Sequence, residues 1–219
     1  MRINKYVAQG TGLSRRAADK AIQEGRVVVN SDSVSLGDEV IESDTVALDG
    51  KIIKIESETT TIMLNKPFGY VCSRDGQGSQ TIYDLLPEKY HKLKPVGRLD
   101  KDSSGLILLT NDGEFANQLM HPRYSKTKVY RVTLDKPLSP LHQQMISDHG
   151  IELTDGNSKL GLQKLDNDQE WQVTMSEGRN RQIRRTFEAL GYNVTKLHRT
   201  QFGNYSLGDL KLGKIFVQN

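Results

Sequence analysis

One short segment of the sequence places a carboxylate at the edge of a predicted core. Arg98 and Asp100 stand two residues apart in "VGRLDKDSSGLILLTNDG" (96–113), just ahead of the apolar run "LILL" (106–109). A carboxylate in such a position can act as a nucleophile or stabilise a developing positive charge. Taken alone, the segment is more typical of a tight structural loop with a surface ion pair. An active-site loop becomes the favoured interpretation only if other segments supply partners for the carboxylate.

A second segment, "EGRNRQIRR" (177–185), could supply a cationic partner for that carboxylate. It places four arginines in seven residues where a helix begins. On a helix Arg181 and Arg184 share a side, with Arg185 nearby, while Ile183 turns to the core. A carboxylate in a cleft stays ionised beside a fixed cation, and the arginine fork is the best partner available. The alternative for this segment is a solvated basic helix face.

Length and composition are typical of a globular protein with one large domain, or a small and a larger one. The chain has 219 residues, of which 36% are apolar and 26% are charged. No stretch approaches the roughly 20 apolar residues that cross a bilayer, and the N-terminus lacks a signal-peptide apolar region. The single cysteine, Cys72, excludes an internal disulfide and a multi-cysteine zinc site. We expect Cys72 to be a buried small residue and the protein to be cytoplasmic.

The charges are unevenly distributed although the formal net charge is only +3. Residues 1–26 carry six Lys/Arg against two Asp/Glu, residues 121–136 five against one, and residues 176–200 six against two. Acidic stretches at 32–58 and 148–170 compensate. Basic surfaces of this kind favour a polyanionic partner, with ordinary solvated faces as the alternative.

Residues 1–57 are predicted to form a small helix-hairpin module. A first helix lies in "INKYVAQG" and ends at Gly10. A second lies in "LSRRAADKAIQEG", with Ser14 as N-cap and Gly25 as its stop. "RVVVN" is then a strand, and "TVALDGKIIKI" is a hairpin across an Asp-Gly turn. The polar segment "ESETTT" (56–61) is the predicted linker.

Residues 62–219 are predicted to form a second domain in which strands dominate. The strand patterns are "TIMLNKP", "LILLT", "KVYRVTL" and "EWQVTM", whereas "GEFANQLM" and "RQIRRTFEALG" have helical periodicity. The predicted fold class is therefore α+β, a small helix-hairpin module followed by a mixed, largely antiparallel β-sheet domain.

Several segments together resemble the pseudouridine synthases. "GRLDKDSSGL", "KVYRV" and "EGRNRQIRR" are similar to the three conserved motifs of these enzymes, and "LNKPFGYVCSRD" to the start of their catalytic domain. "LSRRAADKAIQEGRVVVN" resembles a small RNA-binding module first recognised in a ribosomal protein. The resemblance covers essentially the whole chain, in the order found in the bacterial ribosomal-RNA branch, the RsuA/RluB family.

The resemblance implies an activity and three catalytic residues. Such an enzyme breaks the bond from N1 of uracil to the ribose, turns the base, and rejoins it through C5. The nucleophilic aspartate falls on Asp100, the conserved tyrosine on Tyr130 and the motif arginine on Arg184. Whether Asp100 attacks the base or the ribose, and whether Tyr130 is a base or stacks on the uracil, stays open. No metal, nucleotide or redox cofactor is expected. The protein is expected to be a monomer, and its expected partner is ribosomal RNA or a ribosome assembly intermediate.

The target uridine must leave its stack, at a cost of about a few kcal/mol. The resemblance suggests that Arg98 helps to fill the vacated position, and Lys128 and Arg131 flank Tyr130 in a way that suits phosphate contact. His198 is expected to line the edge of the site. The full set of predicted RNA-binding residues is Arg98, Arg15, Arg16, Lys20, Lys128, Arg131, Arg179, Arg181 and Arg185.

Two positions depart from the family pattern. Asn30-Ser31 stands where the hairpin usually turns on Asn-Gly, which leaves the turn type open. Thr186 replaces an apolar residue, which predicts looser packing there.

Three alternatives remain at the level of the sequence. The chain could be a non-catalytic RNA-binding protein, or a nuclease that uses Asp100, Asp102 and Asp112 around magnesium. For the enzyme itself, we favour a uridine in a stem-loop of large-subunit rRNA near the peptidyl-transferase region, with a small-subunit site as the alternative.

Overall fold

The computed structural model describes residues 1–55 and 58–218, and the chain divides into two compact units, Met1–Thr59 and Thr60–Asn219. The predicted linker (56–61) is only partly covered, because Glu56 and Ser57 lie outside the described residues. Its last residues are already fixed to the second unit. Thr60 N donates to Asn111 Oδ1 at 2.7 Å, and the hydroxyls of Thr61 and Thr110 are 3.0 Å apart.

The first unit is the predicted helix-hairpin arrangement. Its elements are α1 (Ile3–Thr11), α2 (Arg15–Gln23), β1 (Val27–Val29), β2 (Asp32–Ser33), β3 (Val46–Leu48) and β4 (Lys51–Ile52). The strands pair antiparallel in the order β2-β1-β3-β4. One apolar cluster joins the helices to the sheet, and it includes Ile3, Val7, Ala18, Ala21, Ile22, Val27, Val46 and Ile53.

The ends of the two helices differ in how well the sequence predicted them. The prediction that α1 ends at Gly10 is wrong, since the helix continues to Thr11 and ends at Gly12 with φ of 79°. Gly10 is needed inside the helix, because a Cβ there would lie 2.1 Å from Cγ2 of Ile53. The N-cap of α2 is confirmed: Ser14 Oγ accepts a hydrogen bond from Ala17 N at 3.0 Å.

The turn between β1 and β2 keeps its expected type despite the substitution in the motif. Asn30 and Ser31 have φ of 52° and 78°. Positive φ at both central residues is the requirement of a type I′ hairpin turn. Asp49 and Gly50, with φ of 50° and 75°, form the predicted second hairpin turn in the same way. Serine in place of glycine therefore leaves the turn type unchanged.

The second unit is built on one large sheet. Its strands are β5 (Thr61–Lys66), β6 (Lys94–Pro95), β7 (Ser104–Thr110), β8 (Lys128–Leu134), β9 (Ile151–Leu153), β10 (Gly156–Ser158), β11 (Gly161–Lys164), β12 (Glu170–Met175), β13 (Val194–Phe202), β14 (Tyr205–Ser206) and β15 (Ile215–Gln218). The helices are α3 (Gly113–Met120), α4 (Pro140–Gln144) and α5 (Gln182–Glu188), with 3-10 turns at Ile82–Leu85, Glu88–Tyr90 and Pro122–Tyr124 and a π-helical turn at Met145–His149.

The sheet order is β11-β12-β8-β13-β7-β5-β15, with β14 paired to β13 and β6 to β7. Within the part of the chain that the structure describes, every pair in this sheet is antiparallel except β13–β7, which is parallel. Strands β9 and β10 form a separate hairpin. The predicted mixed, largely antiparallel sheet and the α+β class are confirmed.

The main core lies against the face of β8 that carries Tyr130 and Val132, as the alternation in the sequence predicts. From α5, Ile183 and Phe187 belong to the same apolar cluster. The expectation that Thr186 loosens the packing is wrong. Its side chain is fully buried, donates to Gln182 O at 2.9 Å and lies 2.7 Å from Ser158 Oγ. Among the described residues, no helix is both long enough and apolar enough to cross a membrane.

Candidate active site

The segment that carries Asp100 is a short turn between β6 and β7. Leu99 is buried in the main core, and its backbone N lies 3.4 Å from Cys72 Sγ. Ser103 N donates to Asp100 O at 3.1 Å and closes the turn. The carboxylate of Asp100 is 38% exposed. The apolar Leu99 therefore anchors the loop while the next side chain faces the solvent.

A buried lysine supports this loop from the protein side. Lys66, at the end of β5, is fully buried, and its Nζ donates to Ser103 O at 2.5 Å and to Pro67 O at 3.0 Å. Burial lowers the pKa of Lys66, while the charges of Cys72, Asp100 and Asp102 act in the opposite direction. Lys66 is not among the residues predicted from the sequence. Its signal is a lysine at the end of a strand with an apolar centre, followed by proline.

Four side chains form an ion-pair cluster at the mouth of the loop. Arg181 donates from both Nη atoms to the two carboxylate oxygens of Asp102, each at 2.9 Å, and its Nη1 lies 3.6 Å from Asp100 Oδ2. Arg184 Nε lies 3.3 Å from Asp102 Oδ2. Arg184 also donates to Asp102 O at 2.5 Å and to Val194 O at 2.6 Å. Of the arginines predicted as the partner of Asp100, Arg181 is the one beside its carboxylate, whereas Arg184 contacts Asp102.

The backbone of Arg181 is unusual. Its φ of 46° and ψ of 31° are left-handed, so α5 begins only at Gln182. This conformation costs a residue with a side chain about 1–2 kcal/mol, and such strain is concentrated at functional sites. The hydrogen bonds from Arg181, the first cause, lower the pKa of Asp102, and the charges of Arg184 and Arg181 add to this effect. Asp102 is thus held as a carboxylate.

A cavity of about 620 Å³ opens beside this cluster. Its volume lies within the range of ligand pockets, about 300–1,000 Å³. Asp100 and Tyr130, two of the three predicted catalytic residues, both line it, and Tyr130 is 8% exposed. Of the predicted RNA-binding residues, those that line the cavity are Arg98, Lys128, Arg179 and Arg181.

Arg131 lies on the other face of the sheet. Side chains alternate along a strand, so Lys128 and Tyr130 share one face of β8 and Arg131 projects from the opposite one. There it donates to Glu170 Oε2 at 3.0 Å and to Asp166 Oδ2 at 2.6 Å. Arg131 therefore does not join Lys128 and Tyr130 on the cavity wall, and its phosphate contact stays a prediction.

His198 is also placed away from the cavity. It lies opposite Arg131 in the β8–β13 ladder, and its Nδ1 is 2.9 Å from Ser104 Oγ. Burial, and secondarily the charge of Arg131, lowers the pKa of His198. The expectation that His198 lines the site's edge is not met, because Leu197 and Arg199, its neighbours in sequence, take the positions on the cavity side.

Two arginines of the basic segment bind within the protein. Arg179 donates to Asp155 O and Gly156 O at 2.8 and 2.7 Å, and Arg185 pairs with both carboxylate oxygens of Asp155 at 2.9 and 2.7 Å. They attach the β9–β10 hairpin to α5. In the first unit, the basic residues predicted to bind RNA are exposed on α2, namely Arg15, Arg16 and Lys20.

The carboxylates of the nuclease alternative are not brought together. Asp112 Oδ1 accepts from Glu114 N and Phe115 N at 2.8 and 3.1 Å and so caps α3. It follows the far end of the seven-residue β7, roughly 20 Å of strand away from Asp102. Over residues 1–55 and 58–218, no group of three or more His, Cys, Asp or Glu is arranged to hold a metal ion.

A carboxylate and an arginine beside a cavity of this size are the arrangement of an enzyme's active site, and the exposed basic residues of α2 suit a polyanionic ligand. Residues 60–189 match the family model described as RNA pseudouridylate synthase, and residues 1–46 match that of the S4 domain. The chain belongs to the RNA pseudouridine synthases, in the bacterial RsuA family.

Individual relatives agree with this assignment. The chain is 40% identical to ribosomal large subunit pseudouridine synthase B of Bacillus subtilis (strain 168), over 97% of this chain and 89% of that protein. It is 35% identical to ribosomal small subunit pseudouridine synthase A of Yersinia pestis, over 95% of this chain and 90% of that protein. A solved structure described as a pseudouridylate synthase superposes with a TM-score of 0.73 at 33% identity, covering 100% of this chain and 96% of that one.

Proposed function

We propose that this enzyme isomerises one specific uridine of ribosomal RNA to pseudouridine, with Asp100 as its nucleophile. The observation that carries the proposal is the position of Asp100 on the wall of the cavity that Tyr130 also lines, with the Arg181 guanidinium 3.6 Å away. The two relatives named above are, by their names, ribosomal pseudouridine synthases, which supports ribosomal RNA as the substrate.

Each predicted catalytic residue has a role that suits its position. Asp100, 38% exposed, can reach a bound nucleotide and lies beside the guanidinium of Arg181. Tyr130 provides a flat apolar ring with a hydroxyl in the cavity wall. Arg184 acts on Asp100 indirectly, through Asp102, and is therefore a positioning residue. Isomerisation conserves the atoms and the oxidation state of the nucleoside, so these side chains suffice for its acid-base and covalent steps.

The substrate uridine is proposed to enter the cavity by base flipping. A uracil within a helix is stacked and cannot reach Asp100, whereas a flipped nucleotide can. Arg98 lies on the cavity wall and is exposed. It is the proposed occupant of the position that the base vacates. Lys128 lines the same wall and is placed to contact a phosphate.

Residues 1–57 are proposed to add RNA affinity without chemistry, and residues 62–219 to carry the reaction. The predicted RNA-binding residues of the first unit are exposed on one helix, which suits phosphate contact. The enzyme is proposed to work as a monomer on ribosomal RNA or on an assembly intermediate. Sedimentation at enzyme concentrations used in assays would test the oligomeric state.

Large-subunit rRNA is the substrate that we favour. The relative named for the large subunit is 40% identical and the one named for the small subunit 35% identical, so the alternative of a small-subunit site stays close. The two candidate substrates differ in which rRNA contains the modified uridine, and a mapping experiment determines this directly.

The deciding experiment maps pseudouridines in rRNA from cells that have or lack this gene. Cells lacking it should lose one pseudouridine in large-subunit rRNA. Wild-type protein should restore that pseudouridine, and an Asp100→Asn variant expressed at the same level should not. Loss of a small-subunit pseudouridine would select the alternative substrate. An unchanged map, together with purified protein that leaves both rRNAs unmodified, would overturn the proposed function.

A further inference from the structure

Two buried polar groups on the cavity wall have no role in the site described above. Arg199 in β13 is 3% exposed and Ser103 is 2% exposed, and both line the cavity. Arg199 Nε donates to Leu106 O at 2.7 Å. Within the described part of the chain, Arg199 Nη2 and Ser103 Oγ are buried with no hydrogen-bond partner. Arg179 Nε, of the same cavity lining, is also unpaired, but the other guanidinium nitrogens of Arg179 are bound within the protein. Almost all buried polar atoms are paired in folded proteins, so unpaired donors at one cavity indicate a missing acceptor.

The guanidinium of Arg199 is charged, so its lack of a partner is energetically more costly than that of a neutral group. No ion pair joins its guanidinium to a carboxylate of the described residues. Its charged neighbour on the cavity is Lys128, whose pKa is lowered first by burial and then by Arg199. A buried unpaired cation is costly, and a second cation adds to that cost. Both costs would be reduced if an electron-rich ligand group occupied the cavity.

The guanidinium is also held in a fixed position. Gly105, with φ of 106°, lets β13 approach β7 so closely that a Cβ there would lie 2.2 Å from Arg199 O. Arg199 Cζ lies 4.9 Å from the centre of the Phe202 ring. Donors that are rigid before the substrate binds stabilise a developing negative charge without reorganising.

We propose that Arg199 and Ser103 form the subsite for the carbonyl oxygens of the flipped uracil, and that Arg199 stabilises the negative charge that the ring acquires during the reaction. This inference rests on the proposed function. When the N1–C1′ bond breaks, its electron pair stays on the uracil and the charge spreads to the ring oxygens. C5 then bonds to C1′, the proton on C5 leaves, and N1 ends protonated. Nothing is oxidised or reduced.

The role does not depend on which atom Asp100 attacks. Displacement at the ribose releases the uracil as an anion. Addition of the carboxylate to C6 of the ring likewise moves charge onto a ring oxygen. In both cases a fixed cation beside the carbonyls lowers the barrier.

A backbone phosphate fits these groups less well than a base does. Arg199 and Ser103 are both at least 97% buried, so their ligand must enter the protein. A flipped base is the part of a nucleotide that enters, while its phosphates remain joined to the two neighbouring nucleotides outside. A guanidinium has only donors, so it also discriminates against cytosine, whose amino group would meet it with further donors.

The test compares cleavage of two substrates in single-turnover reactions. A stem-loop RNA carries either uridine or 5-fluorouridine at the target position, and loss of the parent nucleoside is followed by chromatography after digestion. Fluorine withdraws electrons and stabilises the uracil anion, so the fluorinated substrate needs Arg199 less. Arg199→Met should slow the uridine reaction by roughly 10²–10³-fold, the effect of losing one such donor, and should slow the 5-fluorouridine reaction far less.

Three further variants complete the design. Arg199→Lys, which keeps the charge, should recover part of the loss, and Ser103→Ala should give a smaller defect. Lys196→Met removes an exposed cation from the same strand and should leave the rate unchanged. Equal losses on both substrates, or weaker RNA binding with a normal rate, would overturn the inference. Wild-type protein that converts neither substrate would instead overturn the proposed function on which the inference rests.

Discussion

The guanidinium of Arg181 and the carboxylate of Asp102 form a two-pronged ion pair with both N–O distances at 2.9 Å. This pair fixes the direction of Arg181, whose Nη1 lies 3.6 Å from the carboxylate of Asp100. Arg184 contacts Asp102 twice: its Nε lies near the carboxylate, and its Nη2 donates to the backbone oxygen. Asp102 therefore connects the loop of Asp100 to the start of α5, and we propose that it positions Asp100.

Replacing Asp102 by asparagine should impair the reaction more than RNA binding. Asparagine keeps the shape but removes the charge that holds both arginines. An error of about 1 Å in the placement of a reacting group can cost about 100-fold in rate. We expect the single-turnover rate of Asp102→Asn to fall 10- to 100-fold, as estimated from that effect, with RNA affinity within a few fold of wild type. A variant with normal rate would show that the ion pair is dispensable.

The same variant should reveal a pH dependence of stability. The pKa of Asp102 is lowered in the folded protein, so its charge stabilises the fold above the usual aspartate pKa of about 3.9. That contribution is lost as the pH falls through the lowered pKa. The melting temperature of wild type should exceed that of Asp102→Asn from about pH 5 to pH 8 and approach it below about pH 4. A constant difference down to acid pH would contradict this assignment.

Much of the fold was predictable because several elements have regular patterns. The strand "KVYRVTL" alternates cleanly and is β8 from Lys128 to Leu134. The helix "GEFANQLM" follows an aspartate cap and runs from Gly113 to Met120. In such segments, side-chain periodicity and capping agree, so local sequence suffices.

The central strand β13 was not predictable in this way. Register shifts occur between Val194 and Lys196 and between Arg199 and Gln201, and each shift interrupts the alternation that marks a strand. A buried arginine in the middle further hides the pattern. The partners of the arginines were likewise beyond local reasoning. Spacing on a helix could not reveal that Arg181 adopts a left-handed backbone and that Asp102 is the shared acceptor.

Asp100→Asn should abolish turnover and leave RNA binding nearly unchanged. The substitution keeps the size of the side chain and removes its charge and nucleophilicity. Asp100 Oδ2 lies 3.6 Å from Arg181, which is bound twice to Asp102, so the cluster should survive the change. Product formation is measured by chromatography of digested RNA, and binding by titration of the same RNA. Isomerisation by protein shown to be free of wild type would refute the assignment of Asp100.

Arg184→Lys should lose most activity and also some stability. Lysine cannot replace the hydrogen bonds to Asp102 O and Val194 O together with the contact to the carboxylate. Arg184 is 13% exposed and these hydrogen bonds are partly buried, so their loss should cost about 1–3 kcal/mol. Thermal melting should show the loss of stability. Arg185→Lys is a matched comparison, because Arg185 pairs with Asp155 instead, and activity lost equally in both variants would contradict the role of Arg184.

Deleting residues 1–57 tests whether the N-terminal module supplies binding rather than chemistry. The truncated protein should bind rRNA more weakly, with a flatter dependence of log affinity on log salt, because each lost phosphate contact lowers the slope by about one unit. At saturating RNA the rate should largely survive, since Asp100 and Tyr130 lie in the second unit. Arg15→Ala with Arg16→Ala in the full chain should reproduce part of the change in slope, because both side chains are exposed on α2. A truncated protein that melts far lower but binds RNA equally well per folded molecule would show that the module stabilises the enzyme instead.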